Sequence, residues 1–96
     1  MQILNLIRIE AVPQKHGELE QTLLSMADKI RKIKGCVSHH LYADLEKSGT
    51  LCVADKWESK EDFDAYLDSD LFRVLIGAAG VLGKSHDRMT FTSVSR

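Results

Sequence analysis

Residues 55–72 read DKWESKEDFDAYLDSDLF, and this stretch decides the fold because it carries the end of a strand and the start of two helices. Trp57 closes an apolar run, and Ser59 then offers an N-cap with Asp62 three residues on, the spacing of a capping box with Asp in place of Glu. Ser69 repeats the cap signal. The helix face between the two caps consists of Phe63, Tyr66 and Leu67. The stretch therefore predicts a strand followed by two short helices.

The segments before this stretch read as a strand, a helix and a hairpin. Residues 3–11 are rich in Ile and Leu, as strands are. Residues 36–43 and 50–57 form two further strands, joined by a turn at Lys47-Ser48-Gly49. A helix over about residues 15–34 is predicted from apolar residues that step by four and three, namely Leu19, Leu23, Met26, Ile30 and Ile33.

The segment after residue 72 continues the apolar helical face as far as Ala79, until Gly80 and Gly83 loosen it. These glycines predict a flexible cover or a helix break. Residues 89–95 are predicted to close the chain as a fourth strand. The order is β-α-β-β-α-β with the second helical region in two parts, which predicts a ferredoxin-like α+β fold with an antiparallel sheet.

The first strand is apolar on both of its faces. Ile3, Ile7 and Ile9 fall on one parity, and Leu4 and Leu6 fall on the other. Helices from a chain of this length can cover only one face of a sheet. We therefore expect a second copy of the chain to cover the other face, which predicts a homodimer.

Composition predicts one globular domain, residues 1–96, because a chain of 96 residues leaves no room for a second core. Lys and Arg total 13 against 14 for Asp and Glu, so no positive field attracts nucleic acid. No apolar run approaches the roughly 18 residues of a membrane span, and the start of the chain lacks the features of a signal peptide. We therefore expect a cytoplasmic protein without a nucleic-acid or membrane partner.

Two segments resemble the antibiotic biosynthesis monooxygenase family. Residues 55–72 look like its most characteristic segment, and residues 35–41, GCVSHHL, are similar to its G-C-x-x-Y-x-L on the second strand. Val12-Pro13 resembles its strand-to-helix turn. The resemblance implies a dimeric α+β barrel, in which the sheets of two subunits associate. It also implies an activity from a set that includes cofactor-independent monooxygenases of aromatic, phenol or quinol substrates and haem-degrading enzymes.

Position by position, the resemblance argues against the haem-degrading branch. The iron-binding His of that branch corresponds to Ile76 here. Its Asn in the first strand aligns with Ile7, whereas Asn5 lies two residues earlier on the same face. Haem binding or degradation is therefore the less favoured interpretation.

The aromatic-oxidising members place an Asn, a Tyr and an Arg around a Trp, and only the Trp has a counterpart here, Trp57. The other three positions hold Val53, Phe63 and Gly77. In many other members a His occupies the place of Tyr66. A tyrosine hydroxyl can replace the hydrogen bonding of that His but not its titration near neutral pH.

An oxygenase without a metal or flavin needs a base that turns its substrate into a phenolate or carbanion, and donors for the growing negative charge. The candidate groups are His39, His40, Tyr42, Asp55 and Tyr66. Because His39 and His40 are adjacent on a strand, they point to opposite faces. His39 shares parity with Val37 and Leu41, so we expect it to be the buried one and assign it the base role, with Tyr66 as a second catalytic group. The competing interpretation is a structural or surface histidine.

A small pocket is expected between the sheet and the second and third helices. Its predicted substrate-binding lining is Trp57, Phe63, Phe72 and Ile76, each of which also fits a purely structural role in the core. No phosphate loop, GxSxG elbow or HExxH helix is present, and Cys36 and Cys52 lie too far apart for a CxxC motif. We therefore expect neither a metal nor a cofactor.

Two function classes remain open. One is a cofactor-independent monooxygenase that oxidises a small aromatic substrate of the phenol or quinol type. The other is a non-catalytic dimeric barrel that binds a small apolar or aromatic molecule. We favour the first.

Overall fold

A computed structural model describes residues 1–94, with the element order β-α-β-β-α-α-β. The strands are β1 (Ile3–Ala11), β2 (Cys36–Ala43), β3 (Thr50–Trp57) and β4 (Gly83–Thr92), and the helices are α1 (His16–Arg31), α2 (Lys60–Leu67) and α3 (Asp70–Leu82). The strands pair antiparallel in the order β2-β3-β1-β4. The predicted ferredoxin-like α+β fold is confirmed.

Two serine caps begin the paired helices α2 and α3, as their spacing predicts. Ser59 Oγ accepts a hydrogen bond from the backbone N–H of Asp62 at 3.1 Å, and Ser69 Oγ accepts one from that of Phe72 at 3.2 Å. Each cap satisfies an N–H that the first helical turn leaves without a partner. The break between α2 and α3 therefore follows directly from the sequence.

The two faces of the sheet differ in what covers them. On the face toward the helices, Ile3, Ile7 and Ile9 of β1 are buried in the hydrophobic core. On the opposite face, which we call the open face, the large apolar side chains are half-buried or exposed in the single chain. They include Leu4, Leu6, Met89 and Phe91.

The structure corrects the predicted end of the second helical region. α3 continues through Gly77 and Gly80 to Leu82, and β4 begins at Gly83 rather than at residue 89. A glycine costs a helix about 1 kcal/mol relative to alanine, but the burial of Leu75 and Ala79 outweighs this cost. The predicted helix break at Gly80 is therefore wrong. Ser95, the predicted last residue of the strand, lies outside the described residues.

Gly83 explains why α3 passes into β4 without a loop. A Cβ at this position would lie 2.5 Å from the carbonyl oxygen of Ala79 and 2.7 Å from Cγ2 of Ile9. Only a residue without a side chain fits so close to both neighbours. The strand consequently starts directly against the helix that precedes it.

No helix within residues 1–94 is long and apolar enough to cross a membrane.

Candidate functional site

A buried carboxylate, that of Asp55, occupies the centre of the helix-covered face of the sheet. Its Oδ1 accepts hydrogen bonds from Trp57 Nε1 at 2.7 Å and from Asn5 Nδ2 at 3.1 Å. Its Oδ2 lies 3.0 Å from His39 Nδ1. All four residues are buried, and we call them the Asp55 cluster. A carboxylate removed from water is costly unless it is hydrogen-bonded, and three partners offset that cost here.

Strand register brings the Asp55 cluster together. Asn5 of β1 and His39 of β2 both stand directly opposite Asp55 of β3, so the three side chains form one row across neighbouring strands. Trp57 lies two residues further along β3 and therefore projects to the same face. Four residues that are far apart in sequence thus meet at one point of the sheet.

A β-bulge places His39 in this row. The register of β2 against β3 shifts between Cys36, opposite Trp57, and Ser38, opposite Lys56. Val37 is the extra residue and is 44% exposed, whereas His39 is only 3% exposed. The prediction that His39 is buried and His40 exposed agrees with the structure. The inference that Val37 shares the buried face was wrong because of the bulge.

The aromatic side chains of α2 and α3 stack on the Asp55 cluster. The rings of Trp57 and Tyr66 are 4.4 Å apart at an interplanar angle of 20°, and Phe72 packs edge-on against Tyr66 at 5.2 Å. Phe63 tilts against Trp57 at 6.5 Å. The predicted site residues Trp57, Phe63, Tyr66 and Phe72 therefore form one continuous aromatic cluster next to His39's partner, Asp55. Ile76 packs half-buried against the same core.

Burial and the negative charge of Asp55 raise the pKa of the Tyr66 hydroxyl well above its usual value. Tyr66 consequently remains a protonated phenol at neutral pH and can donate a hydrogen bond, but it cannot serve as a base. This separates the roles of the two predicted catalytic residues. Of the two, only His39 carries a ring nitrogen that can act as a proton acceptor.

Two buried polar atoms of this region, Asn5 Oδ1 and the Tyr66 hydroxyl, have no hydrogen-bond partner within residues 1–94. Buried polar groups are nearly always hydrogen-bonded, and an unsatisfied one costs about 1–3 kcal/mol. Both atoms therefore retain the capacity to bind a small polar group beside the Asp55 cluster.

A cleft of about 380 Å³ lies between α2 and the adjacent ends of β1 and β4, and we call it the α2 cleft. Its mouth carries the ion pair between Lys60 Nζ and Asp64 Oδ2 at 2.8 Å. The lining consists of Met1, Ile3, Lys60, Phe63, Asp64, Thr90, Phe91 and Thr92. It combines apolar walls with a few polar groups, as small-molecule sites do.

The α2 cleft lies between the sheet and a helix, as expected, but its lining differs from the predicted one. Phe63 lines it, whereas Trp57, Phe72 and Ile76 do not. Trp57 is fully enclosed, with Phe63 packed between its ring and the cleft, because its indole N–H is bonded to Asp55. Trp57 therefore packs against Phe63, which lines the cleft, and contributes no exposed surface to the cleft itself.

Asn5 and Asp55 are the residues whose pairing the sequence reasoning missed. Each is the one polar residue on an otherwise apolar parity, Ile3-x-Asn5-x-Ile7 in β1 and Val53-x-Asp55-x-Trp57 in β3. A polar side chain on the buried face of a strand must find a partner there. That pattern was a readable signal for the cluster.

Within residues 1–94, no group of three or more His, Cys, Asp or Glu side chains is placed to hold a metal ion. His39 and Asp55 form a pair, and the remaining partners of Asp55 are an amide and an indole. The donors of the Asp55 cluster are thus suited to fixing a carboxylate and a histidine tautomer.

Comparison with known proteins identifies one family. Its model, antibiotic biosynthesis monooxygenase, matches residues 2–77. No curated protein matches the chain significantly in sequence.

Solved structures with the same fold cover nearly the whole chain. Rv0793 from Mycobacterium tuberculosis has a TM-score of 0.89 at 18% identity, covering 100% of this chain and 98% of its own. A putative antibiotic biosynthesis monooxygenase from Deinococcus radiodurans has a TM-score of 0.85 at 14% identity, with coverages of 98% and 94%. A mutant of SnoaB, a cofactor-independent oxygenase from Streptomyces nogalater, has a TM-score of 0.83 at 18% identity, with coverages of 99% and 95%. At these identities the likeness shows the fold.

Proposed function

The chain belongs to the antibiotic biosynthesis monooxygenase family, and on that premise we propose that it is a cofactor-independent monooxygenase acting on a small aromatic substrate of the phenol or quinol type. The observation that carries the proposal is the contact of 3.0 Å between His39 Nδ1 and Asp55 Oδ2 inside the core. A carboxylate bonded to one ring nitrogen of a histidine fixes its tautomer, and the other nitrogen, Nε2, is then free to accept a proton. The likeness to a cofactor-independent oxygenase supports the same proposal.

The proposed reaction consumes one phenol and one dioxygen and gives a quinone and water. His39 Nε2 removes the hydroxyl proton, and the resulting phenolate transfers one electron to dioxygen. The two radicals combine in a bond between a ring carbon and oxygen, and the proton held by His39 completes a hydroperoxide. Loss of water breaks the O–O bond and the C–H bond of that carbon, which leaves the new carbonyl. Dioxygen is reduced and the substrate carbon is oxidised, so that no other reductant is consumed.

The Tyr66 hydroxyl is the proposed donor for the negative charge that develops on oxygen. Its raised pKa keeps it protonated, and it has no partner within the described residues to compete for its proton. A donor already in place in a dry site stabilises such charge more than water does. Asn5 donates to Asp55 from the neighbouring strand β1 and is the proposed residue that orients the substrate, through its free Oδ1.

The α2 cleft is the proposed entrance for the substrate. Phe63 lines the cleft and also packs against Trp57, so rotation of this one ring is the proposed step that connects the cleft to the Asp55 cluster. Thr90 lines the cleft and stands opposite Asn5 in the pairing of β1 with β4. Its hydroxyl is therefore a polar group on the proposed path from the cleft to the Asp55 cluster. In the ion pair of Lys60 with Asp64 the two opposite charges at the mouth offset each other, which suits a neutral aromatic molecule.

The second candidate is a non-catalytic barrel that binds a small apolar molecule in the α2 cleft. Neither His39 nor Asp55 lines the cleft, and this favours the alternative. It predicts tight binding in the cleft without chemical change. The two candidates therefore differ in turnover and agree on the binding site.

We further infer a homodimer that pairs the open faces. Met89 and Phe91 of β4 are 36% and 48% exposed in the single chain, and they extend the half-buried side chains of Leu4 and Leu6. An apolar strip of this kind on a sheet is covered by a partner in most proteins. A second copy offers the same strip, because a two-fold interface uses one patch twice.

Oxygen uptake by the metal-free protein tests the proposed function. The protein is treated with a chelator, desalted and mixed with a panel of phenols and quinols of one to three rings, and dissolved oxygen is followed with an electrode. The monooxygenase proposal predicts protein-dependent uptake matched by an equal amount of quinone. Saturable binding of the panel without uptake would reject it and favour the binding barrel.

A further inference from the structure

The backbone around His39 has less support from strand pairing than the two central strands, β1 and β3. β2 is an edge strand, so one side of it has no neighbouring strand within residues 1–94. The β-bulge between Cys36 and Ser38 interrupts the pairing with β3 immediately before His39. A base on such a segment requires another contact to hold it in place.

Arg31, in the last turn of α1, provides that contact. Its Nε donates a hydrogen bond to the backbone carbonyl oxygen of His39 at 2.9 Å, and its Nη1 lies 2.9 Å from Oδ1 of Asp28. A guanidinium is planar, so two bonds to different partners fix both its position and its plane. Hydrogen bonds from a charged donor are also among the stronger ones in proteins. Arg31 therefore ties the end of α1 to β2 at one residue.

His39 is consequently fixed at two points from opposite directions. Arg31 holds its backbone from α1, and Asp55 holds its ring from β3. Loss of the first contact allows the edge strand to move, and the short distance from Nδ1 to Oδ2 then lengthens. The ring tautomer depends on that distance, because only a close carboxylate keeps the proton on Nδ1.

We propose that Arg31 is a positioning residue for His39: it holds the edge strand so that Nδ1 stays on the Asp55 carboxylate and Nε2 remains the proton acceptor. The effect of Arg31 on turnover rests on the proposed function. Its effect on the His39 ring does not, since the ring can be observed in an inactive protein.

Arg31→Met is the direct test, because methionine keeps an apolar stem and removes every donor. Arg73→Met is the matched control. Arg73 Nη1 lies 2.8 Å from Asp70 Oδ1, the same spacing of three residues along a helix, but its side chain donates to no backbone carbonyl within residues 1–94. The two variants thus remove the same chemical group and the same kind of ion pair.

The first readout is the imidazole of His39, followed by NMR on protein with nitrogen-15 in its histidines and assigned by the absence of the signal in His39→Gln. Wild type and Arg73→Met are expected to show one tautomer with a slowly exchanging proton on Nδ1. Arg31→Met is expected to show a mixture of tautomers and faster exchange, which Arg31→Lys reverses in part. Unchanged His39 signals in Arg31→Met would overturn the proposal.

If Arg31→Met fails to fold, as judged by circular dichroism, Asp28→Asn is used in its place. It removes the negative charge that Nη1 binds and leaves Nε in place, so a smaller change of the same kind in the His39 signals is expected. Identical signals in Asp28→Asn and wild type would then overturn the proposal.

The second readout is steady-state turnover. A displaced base is expected to lower kcat roughly 10- to 100-fold while KM changes less than about twofold, and Arg73→Met is expected to match wild type. An equal loss in both variants would contradict a specific role for Arg31. An inactive wild type would reject the proposed function alone, since the NMR comparison still decides what Arg31 does.

Discussion

Asn5 and Asp55 stand directly opposite each other on β1 and β3, and the side-chain amide of Asn5 donates to the carboxylate of Asp55 at 3.1 Å within the core. The same carboxylate oxygen accepts from Trp57, and the other oxygen meets His39. The cluster thus joins three of the strands through one acidic side chain. Its contribution to stability can be separated from its contribution to catalysis.

Replacement of Asp55 by Asn is expected to destabilise the fold. In one orientation of the new amide its NH2 group faces the N–H donors of Trp57 and Asn5, and in the other it faces the Nδ1–H of His39. Each buried donor left unsatisfied costs about 1–3 kcal/mol. We therefore expect Asp55→Asn to lower the free energy of unfolding by about 2–5 kcal/mol, the range found when a buried network is broken. Urea denaturation followed by circular dichroism measures it.

Asp64→Asn is the matched control for that experiment. Asp64 makes its ion pair with Lys60 at the surface, where such pairs contribute less than about 1 kcal/mol. Equal unfolding midpoints for Asp55→Asn and Asp64→Asn would show that the cluster is not an important source of stability.

The raised pKa of Tyr66 predicts how the stability of the fold depends on pH in the alkaline range. Its folded-state pKa is raised above the ordinary value near 10, so the folded protein retains a proton that the unfolded chain releases. The corresponding stabilisation is fully present below about pH 10 and is lost above it, by up to about 1.4 kcal/mol per pH unit. Urea denaturation from pH 8 to 11 should show a steeper loss for wild type than for Tyr66→Phe.

The difference between wild type and Tyr66→Phe isolates this effect from the titration of lysines, which both proteins share. Near neutral pH the variant should be about as stable as wild type, because it deletes a hydroxyl that has no partner within the described residues. If both proteins lose stability in parallel above pH 10, the hydroxyl of Tyr66 is not buried in the folded state in solution.

Met89 provides a test of the inferred homodimer. It stands opposite Leu6 on the open face and is 36% exposed in the single chain. A lysine there would bring two charges into a two-fold apolar interface, so Met89→Lys is expected to shift the mass measured by light scattering from dimer to monomer at micromolar protein. Val74→Lys, on the exposed face of α3, serves as control and should remain a dimer. A monomeric mass for the wild-type protein would contradict the inferred homodimer.

The ranges of the first three strands could be predicted from the sequence because each is a run rich in strand-forming residues, bounded by turn or cap residues that can be recognised locally. The start of β4 could not. Gly77 and Gly80 weigh against a helix locally, and only the packing of Leu75 and Ala79 against the core carries α3 past them. Tertiary contacts of that kind have no signature in the local sequence.

The candidate site was predictable in part. The parity of His39 and the helical spacing of Phe63 and Tyr66 placed these side chains on the correct faces. The bulge at Val37 and the three-way bonding of Asp55 depend on register between strands, which one sequence does not specify. The exclusion of Trp57 from the α2 cleft follows from the bond between its indole and Asp55, two residues earlier on the same strand.

The central claim is that His39 is the base of a monooxygenase, and isotopically labelled dioxygen tests it most directly. Metal-free wild type, His39→Gln and His40→Gln are each supplied with labelled dioxygen and the best quinol of the panel, and the quinone is analysed by mass spectrometry. His40→Gln is the matched control because His40 lies on the open face of the sheet, away from the Asp55 cluster. Wild type and His40→Gln should place one labelled oxygen atom in each quinone, whereas His39→Gln should be slower by about 100- to 10,000-fold with KM nearly unchanged. Equal rates in wild type and His39→Gln, or a quinone without label, would contradict the account.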